Sequence, residues 1–341
     1  MVKVSAPGKV HLIGEHSVVY GEPAIIAAIG KRCFIEVEKS DKVIIESKNF
    51  DFKLESDLDE INRHTEEMEK LWERGDEKND FSEVLSKTKN REKALKILVG
   101  KCLKLVEADS GVSVVIYSEI PAGAGLGSSA SINVALTKAI SKLYGKDLSN
   151  HKVNDFAYEL EKFMHGKPSG GDNSACCFGG LVWFKKGDPN VIDSLREEIP
   201  YKLENFVLVH TKTPEKTTGE LVQMVMNLDP SSRDPIIKNL GDATLEMREV
   251  LKRKDFKRMK ELINLANENL TKLGLSIPET EEISKAVTDI GGAAKMCGAC
   301  YGGTMLCYHE DKEKLIKTIK DLGFEPIETE LSVEGVKLEG S

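Results

Sequence analysis

Hydrophobic and polar residues alternate over residues 2–12 before the chain becomes continuously apolar, which predicts a β-strand at the N-terminus. Segments rich in β-forming residues predict further strands at 24–29, 33–37, 43–47, 112–120, 179–184 and 206–210. Apolar residues spaced three and four positions apart predict helices at 93–108, 132–143 and 149–164, several more within 215–290, and a last helix followed by a strand. The pattern therefore predicts a protein that contains strands and helices throughout its length.

Two features of the pattern suggest how the chain is divided. Residues 50–92 are highly charged and poor in β-forming residues, so we expect a solvated helical insertion there. The composition shifts near residue 188, where Asp188 and Pro189 interrupt the pattern. We therefore predict an N-terminal domain over 1–188 and a C-terminal domain over 189–341.

Composition narrows the class of protein. The chain has 341 residues and a formal net charge of −8, which disfavours a general nucleic-acid or anionic-membrane binder. There is no secretory signal pattern and no run of about 18 apolar residues, so we expect a cytoplasmic protein that binds neither nucleic acid nor membrane. The seven cysteines, an odd number in a chain of this length, indicate reduced thiols and not a disulfide framework.

A glycine-rich loop, PAGAGLGSSA at residues 121–130, lies between a predicted strand and a predicted helix. It is not a Walker A loop, because no lysine follows Gly127, and it is not a Rossmann fingerprint, because Ser128 stands where a third glycine or alanine is needed. The N-terminus of a helix presents free N–H groups and a partial positive charge, and glycines let an anion approach them. The loop is therefore a candidate phosphate site, with an ordinary tight turn as the alternative.

Other polar residues stand in unusual places. Lys9 lies in a predicted strand just after a Pro-Gly pair, and Glu15 and His16 directly follow a glycine. Glu161 borders the apolar stripe of a predicted helix, where a carboxylate needs a cation or a donor, and Asp172 follows two glycines. Taken singly, such a lysine or histidine is more often a snorkelling or internally hydrogen-bonded residue than a functional one.

Taken together, these stretches resemble the mevalonate kinases of the GHMP kinase superfamily. The family's first motif, S-A-P-G-K-V, is matched at residues 5–10, and its continuation G-E-H-S-V-V-Y-G at 14–21. The second motif, P-x-x-x-G-L-G-S-S-A, is matched at 121–130. The pattern H-G-x-P-S-G-x-D is matched at 165–172, with the upstream glutamate at Glu161.

The resemblance implies a fold and an activity. The implied fold class is α+β, the two-domain GHMP kinase fold, with an N-terminal α/β domain like domain 2 of ribosomal protein S5 and a C-terminal ferredoxin-like domain. The implied reaction transfers the γ-phosphoryl group of ATP to the 5-hydroxyl of (R)-mevalonate, with Mg²⁺ as cofactor and the active site between the domains. The implied partners are ATP and mevalonate, and a homodimer is left open.

The resemblance also assigns roles residue by residue. Asp172 matches the catalytic aspartate and Lys9 the lysine beside it, Ser129 and Glu161 match the Mg²⁺ ligands, and Glu15, His16 and Thr217 match the acceptor side of the site. The nucleotide loop corresponds to Pro121, Gly123, Ala124, Gly125, Leu126, Gly127, Ser128, Ser129 and Ala130. General chemistry agrees, because phosphoryl transfer depends mainly on positioning and charge neutralisation, and a carboxylate can accept the proton of an alcohol.

The chain departs from the family at the third motif, which reads KMCGACYGG at residues 295–303. Cys297 stands where threonine or serine is usual, and Cys300 and Tyr301 replace glycines. A zinc site is not supported because there is no second ligand pair, and a redox motif has no supporting context, so structural cysteines are the main interpretation. The alternative is a local disulfide under mild oxidation, favoured if a lysine or a helix N-terminus lowers a thiol pKa.

Two other functions are weighed against mevalonate kinase activity. The chain could be another GHMP enzyme, such as a phosphomevalonate kinase, a sugar kinase or a decarboxylase, but Glu15, His16 and Glu161 argue against this. It could also be a catalytically silent relative that senses a ligand. The presence of Lys9 and Asp172 together with the Mg²⁺ ligand set argues against that second alternative.

Overall fold

The computed structural model describes residues 1–340. In this part of the chain, twelve strands join in one hydrogen-bonded sheet. The strands are β1 (Val2–Ile13), β2 (Pro23–Ser40), β3 (Val43–Ser47), β4 (Phe52–Ser56), β5 (Gly111–Ser118), β6 (Leu181–Lys185), β7 (Val191–Ser194), β8 (Leu203–His210), β9 (Ala293–Met296), β10 (Thr304–Tyr308), β11 (Pro326–Leu331) and β12 (Lys337–Leu338). The main path of the sheet runs β4-β3-β5-β2-β11-β8-β10-β9, with β1, β6, β7 and β12 attached beside it.

Helices cover the sheet in both halves of the chain, and the α+β fold class is confirmed. They are α1 (Leu58–Lys78), α2 (Ser82–Thr88), α3 (Arg91–Val106), α4 (Ser128–Leu143), α5 (Asn150–His165), α6 (Gly171–Phe178), α7 (Thr218–Met226), α8 (Pro230–Lys252), α9 (Phe256–Lys272), α10 (Pro278–Asp289) and α11 (Lys312–Asp321), with a short 3₁₀ helix at Ser17–Tyr20. The predicted N-cap of α5 is confirmed, because the Ser149 side chain accepts a hydrogen bond from the Lys152 backbone N–H. None of the described helices is both long and apolar enough to cross a membrane.

Strand β2 is one long strand where the sequence predicted two separate ones. The predicted break, residues 30–32, is polar and partly exposed, but the backbone continues through it. The pairing with β1 shifts register here, because the consecutive residues Pro7 and Gly8 pair with Arg32 and Ile29, so the two strands remain paired on both sides of a bulge in β2. The long strand then pairs with β5 through its second half and with β6 through its first half.

The charged segment 50–92 begins with a strand that the sequence did not predict. Strand β4 pairs with β3 in antiparallel register, and helices α1 and α2 follow it. These helices bury a small apolar cluster against α3 and α5, made of Met68, Leu71, Val84, Ile97 and Phe163. The charged segment therefore forms two amphipathic helices, α1 and α2, whose apolar faces are buried.

The end of the chain returns to the first strands. Strand β12 pairs with β1, and Leu331 of β11 pairs with Ile29 of β2. The Arg32 guanidinium donates hydrogen bonds to the carbonyls of Glu334 (2.8 Å) and Gly335 (2.7 Å). These contacts fix the C-terminal segment of the chain against β1, the strand that carries Lys9, and against β2.

Candidate active site

The glycine-rich loop connects the end of β5 to the first turn of α4. Gly123, Gly125 and Gly127 have φ angles of 75°, 72° and 74°, which lie in the left-handed region that favours glycine. A Cβ at Gly123 or Gly125 would meet no atom within 4 Å, so the loop faces open space there. The N–H groups that begin α4 are therefore accessible, as the sequence predicted for a phosphate cradle.

Both halves of the chain hold this loop in place. The Lys9 backbone N–H donates a hydrogen bond of 2.9 Å to the Leu126 carbonyl, which ties the loop to β1. The Thr304 hydroxyl donates one of 2.7 Å to the Ala124 carbonyl, which ties it to β10. A Cβ on Gly127 would lie 2.6 Å from Cγ of Lys9, so this glycine allows the lysine to pass directly beneath the loop.

Two cavities meet at the loop and share the lining residues Pro121, Gly123, Ser128 and Ser129. The first, called here the apolar cavity, has a volume of about 470 Å³ and is lined by Leu95, Leu98, Ile116, Ile120 and Ile132, among others. The second, called the polar cavity, has a volume of about 580 Å³ and is lined by Lys9, His11, Glu15, His16, His165 and Asp172, among others. One surface thus offers an apolar compartment and a charged one on either side of the helix N-terminus.

Lys9 and Asp172 form an ion pair in the polar cavity, with 3.0 Å between Nζ and Oδ2. Burial lowers the pKa of Lys9, but the charge and hydrogen bond of Asp172 outweigh burial and raise this pKa above its usual value. Burial likewise raises the pKa of the Asp172 carboxyl, and the Lys9 charge outweighs it and lowers this pKa. Both groups are therefore charged at neutral pH.

Ser129 and Glu161 converge on a single atom, Nε2 of His165. The Ser129 hydroxyl lies 3.2 Å from this nitrogen, and Oε2 of Glu161 lies 3.3 Å from it. Oε1 of Glu161 accepts a hydrogen bond of 2.6 Å from the Asn133 side chain. The hydrogen bond with Glu161 is the main cause of a raised pKa at His165. The two predicted metal ligands thus lie close together, and Glu161, predicted at the border of the apolar stripe of α5, is buried.

His165 and Asn133 are contacts that sequence reasoning missed. His165 is the first residue of the motif at 165–172. It comes one helical turn after Glu161 and therefore shares its face of α5. Asn133 lies in α4 among apolar residues, and a fully buried amide needs a partner. Either position could have been found by asking which side chain satisfies the buried carboxylate.

Glu15 and His16 both line the polar cavity, and each contacts β9 or the loop that follows it. The Glu15 carboxylate is ion-paired with the ammonium of Lys295, and both side chains are buried. The same ammonium donates a hydrogen bond of 3.2 Å to the His11 carbonyl. Nε2 of His16 lies 3.1 Å from the carbonyl oxygen of Ala299. Lys295, which the sequence analysis did not single out, therefore joins β9 to the first strand.

Thr217 lies at the start of α7 and is exposed. Its hydroxyl donates to the Glu220 carboxylate at 2.8 Å and accepts from the Glu220 backbone N–H, which is a capping box. The neighbouring Thr218, together with Val222, lines the polar cavity instead. The structure thus brings the start of α7 to the cavity but uses the Thr217 hydroxyl as a helix cap.

Cys297 and Cys300 are buried free thiols in the loop after β9. Burial raises the pKa of Cys297 to about 11 although Lys295 opposes the shift, and it raises the pKa of Cys300 well above its usual value. A lowered thiol pKa, the condition for the redox alternative, is therefore not met. The adjoining Gly298 and Ala299 line the polar cavity, so the altered third motif still reaches the site.

Comparisons with known proteins agree with this geometry. The family models "GHMP kinases N terminal domain" and "GHMP kinases C terminal" match residues 94–180 and 247–324. Mevalonate kinases of Pyrococcus abyssi (strain GE5 / Orsay) and Pyrococcus furiosus are 32% and 34% identical to this chain, and each alignment covers 99% of this chain and 98% of the relative.

Solved structures give the same result for the fold. The crystal structure of the Methanococcus jannaschii mevalonate kinase is 28% identical, with a TM-score of 0.82 over 97% of this chain and 98% of that chain. A Lactococcus lactis galactokinase complexed with galactose, at 18% identity, has a TM-score of 0.70 over 98% and 94% of the two chains and so shares the fold alone. The sequence, the fold and these relatives lead to one conclusion: the chain belongs to the GHMP kinases, and within them to the mevalonate kinase family.

Proposed function

We propose that this protein is a mevalonate kinase that transfers the γ-phosphoryl group of ATP to the 5-hydroxyl of (R)-mevalonate. The observation that carries the proposal is the Lys9–Asp172 ion pair, with 3.0 Å between its charged atoms, in a cavity that opens beside the glycine-rich loop. A carboxylate and an ammonium next to a phosphate cradle suit the phosphorylation of an alcohol. The membership of the chain in the mevalonate kinase family supports this acceptor.

The nucleotide is assigned to the apolar cavity and the loop. Aliphatic side chains of β5, α3 and α4 line that cavity and suit the faces of a flat base. The phosphates then follow Gly123, Gly125 and Gly127 towards the N-terminus of α4, where free N–H groups and the helix dipole favour negative charge. The γ-phosphoryl group reaches the place where the two cavities join, which is also where Ser128 and Ser129 lie.

Asp172 and Lys9 are assigned to the transfer itself. The Asp172 carboxylate takes the proton from the 5-hydroxyl as the oxygen attacks the γ-phosphorus, the bond from phosphorus to the bridging oxygen breaks, and ADP leaves. The Lys9 ammonium keeps the carboxylate ionised and stabilises negative charge on the attacking oxygen. The glycine loop contributes by holding its N–H groups in place before the reaction, which is the main requirement in phosphoryl transfer.

Ser129 and Glu161 are the residues proposed to hold Mg²⁺. Their oxygens lie 3.2 and 3.3 Å from the same atom, Nε2 of His165, and hydroxyl and carboxylate oxygens are ligands that Mg²⁺ accepts alongside phosphate and water. Among residues 1–340 no group of three or more His, Cys, Asp and Glu residues could hold a metal, which fits an ion bound mainly through the nucleotide. When bound, the ion neutralises negative charge on the phosphates.

The polar cavity favours an acceptor that carries no phosphate. Within the described part of the chain, Lys9 is the only lysine or arginine that lines it, and Lys9 is already paired with Asp172. A phosphorylated acceptor would add the charge of a phosphate to that of its carboxylate and would need further cations, as would be expected for a phosphomevalonate kinase. Glu15 and His16 remain proposed contacts on the acceptor side, and Thr217 is proposed to act there by fixing the start of α7.

The proposal is tested by measuring ATP consumption with mevalonate, 5-phosphomevalonate, galactose and simple primary alcohols, with and without Mg²⁺. We expect mevalonate to give the highest kcat/KM, a strict Mg²⁺ requirement, and a product phosphorylated at carbon 5 by phosphorus NMR. Higher kcat/KM for phosphomevalonate or a sugar would reassign the enzyme within the superfamily. Binding of ATP without turnover of any acceptor would favour the silent relative.

A further inference from the structure

His11 faces the polar cavity and has no role in the reaction described above. It lies two residues after Lys9 in β1, and residues two apart point to the same side of a strand. Its side chain lines the polar cavity, and its Nδ1 atom is buried without a hydrogen-bond partner among residues 1–340. The ring therefore lines the cavity with hydrogen-bonding capacity that no protein group uses.

The environment of His11 determines which kind of group it can bind. Burial is the main cause that lowers the pKa of His11 to about 3, Lys9 and Lys295 lower it further, and Asp172 opposes them. The ring is therefore neutral at physiological pH and offers one N–H donor and one acceptor nitrogen. A hydroxyl group can accept from the N–H or donate to the other nitrogen, whereas a carboxylate or phosphate needs donors or a cation.

The position of His11 is fixed by the fold. The residue pairs with Ile26 of β2, and its carbonyl accepts a hydrogen bond of 3.2 Å from the buried Lys295 ammonium. Lys9 and Asp172 take the reacting hydroxyl, and His11 is displaced from Lys9 by one repeat of the strand, about 7 Å. A second hydroxyl, a few bonds from the first, falls within reach of the ring.

We propose that His11 determines acceptor specificity by hydrogen-bonding the non-reacting hydroxyl of the acceptor, which in mevalonate is the tertiary hydroxyl at carbon 3. This inference rests on the proposed function, because it takes the acceptor to be a diol. No other described side chain has been assigned to the hydroxyl at carbon 3. The site thereby distinguishes mevalonate from an acid that carries only the primary hydroxyl.

The test compares two acceptors and three proteins. The acceptors are mevalonate and 5-hydroxy-3-methylpentanoate, which lacks only the hydroxyl at carbon 3. The proteins are the wild type, His11→Leu, which removes both hydrogen-bonding atoms, and His11→Asn, which keeps a donor and an acceptor near the position of Nδ1. We expect wild type to prefer mevalonate by roughly tenfold or more in kcat/KM, and His11→Leu to lose most of this preference by losing activity only on mevalonate. His11→Asn should recover part of it.

The outcomes separate this inference from the proposed function. If His11→Leu lowers kcat/KM equally for both acceptors, or for neither, the inference is overturned while mevalonate kinase activity stands. If the wild-type protein does not phosphorylate mevalonate at all, the proposed function fails first. The KM for ATP and the thermal unfolding midpoint are measured for each variant. If His11→Leu has lost ATP binding, only His11→Asn is compared with wild type. A preference of His11→Asn for mevalonate equal to that of wild type would then overturn the inference.

Discussion

Each charged side chain that the fold buries around the polar cavity has a partner, and the partner determines its state. Lys9 is held charged by Asp172, and Glu161 is satisfied by Asn133 and His165. A buried charge without such a partner would cost several kcal/mol. Sequence reasoning identified Lys9, Glu161 and Asp172 because each interrupts a local pattern, but it could not identify their partners across the fold.

The substitution Asp172→Asn tests the proposed proton acceptor at this scale. The amide is nearly isosteric and keeps the fold, but it cannot take a proton from the acceptor hydroxyl. We expect kcat to fall by about two decades or more, with little change in the affinity for ATP. Steady-state kinetics and nucleotide titration measure both quantities, and activity within threefold of wild type would contradict the assignment.

The same variant has a pH signature in stability. The folded-state pKa of Asp172 is lowered by Lys9, so the ionised carboxylate contributes stability that is fully present above its unfolded-state pKa of about 4. That contribution is lost as the pH falls through the lower folded-state value. The difference in unfolding free energy between wild type and Asp172→Asn should therefore be constant from pH 8 to 5 and shrink below about pH 4. A difference that changes near pH 7 would place the relevant titration elsewhere.

At the scale of elements, the strand-loop-helix unit from β5 to α4 was predictable and two of its neighbours were not. Three glycines between a β-rich run and a helical run allow few conformations, and all three adopt a positive φ angle. The continuity of β2 through residues 30–32 depends on an irregularity in its pairing with β1, where β2 has extra residues, and one strand alone does not reveal this feature. Strand β4 was missed because its charged residues Lys53 and Glu55 are exposed, and the strand is held in place by its backbone pairing with β3.

Gly127→Ala tests how closely the loop and Lys9 depend on each other. The added Cβ would lie 2.6 Å from Cγ of Lys9, so the lysine side chain must shift, and we expect this shift to disturb its ion pair with Asp172. The matched control is Gly145→Ala at the end of α4, where φ is 78° but a Cβ meets nothing within 4 Å. Both variants carry a left-handed alanine, which costs about 1–2 kcal/mol. We expect kcat to fall by at least tenfold in Gly127→Ala and to stay near wild type in Gly145→Ala.

The comparison is made at a temperature where both variants are folded, as judged by circular dichroism. Equal losses of kcat in the two variants would mean that backbone strain, and not the displacement of Lys9, limits the reaction. Wild-type kcat in Gly127→Ala would show that the lysine accommodates the methyl group without losing its contact with Asp172.

At the scale of the whole molecule, the site depends on contacts between distant parts of the chain. The ion pair of Glu15 and Lys295 joins residues 280 positions apart, and the hydrogen bond from Thr304 to Ala124 joins residues 180 positions apart. Local sequence patterns do not reveal such long-range pairs, and for this reason Lys295 was not predicted. For the same reason Thr217 was expected in the polar cavity, which the neighbouring Thr218 lines instead. The family resemblance supplied the general arrangement, and the fold supplied the individual contacts.

The distribution of cysteines gives a prediction for the entire chain. All seven are free and buried, including Cys297 and Cys300 beside the polar cavity. With a pKa of about 11, Cys297 exists as thiolate at pH 7.5 in roughly one molecule in a few thousand, and the thiolate is the reactive form. We therefore expect a thiol reagent such as 5,5′-dithiobis(2-nitrobenzoate) to react only slowly with the native protein. In guanidinium chloride, which unfolds the chain, it should react with all seven thiols.

Activity provides the second readout of this prediction. Diamide followed by dithiothreitol should leave the KM for ATP of wild type unchanged, because Cys297 and Cys300 are both buried and burial raises the pKa of each thiol. The variant Cys297→Ser and the remote variant Cys33→Ser serve as a matched pair of buried substitutions. If diamide reversibly raised the KM for ATP in wild type and in Cys33→Ser but not in Cys297→Ser, the two thiols would form a redox switch and not merely fill the core. Identical, unaffected kinetics in all three proteins would establish that the loop after β9 keeps its thiols reduced by burying them.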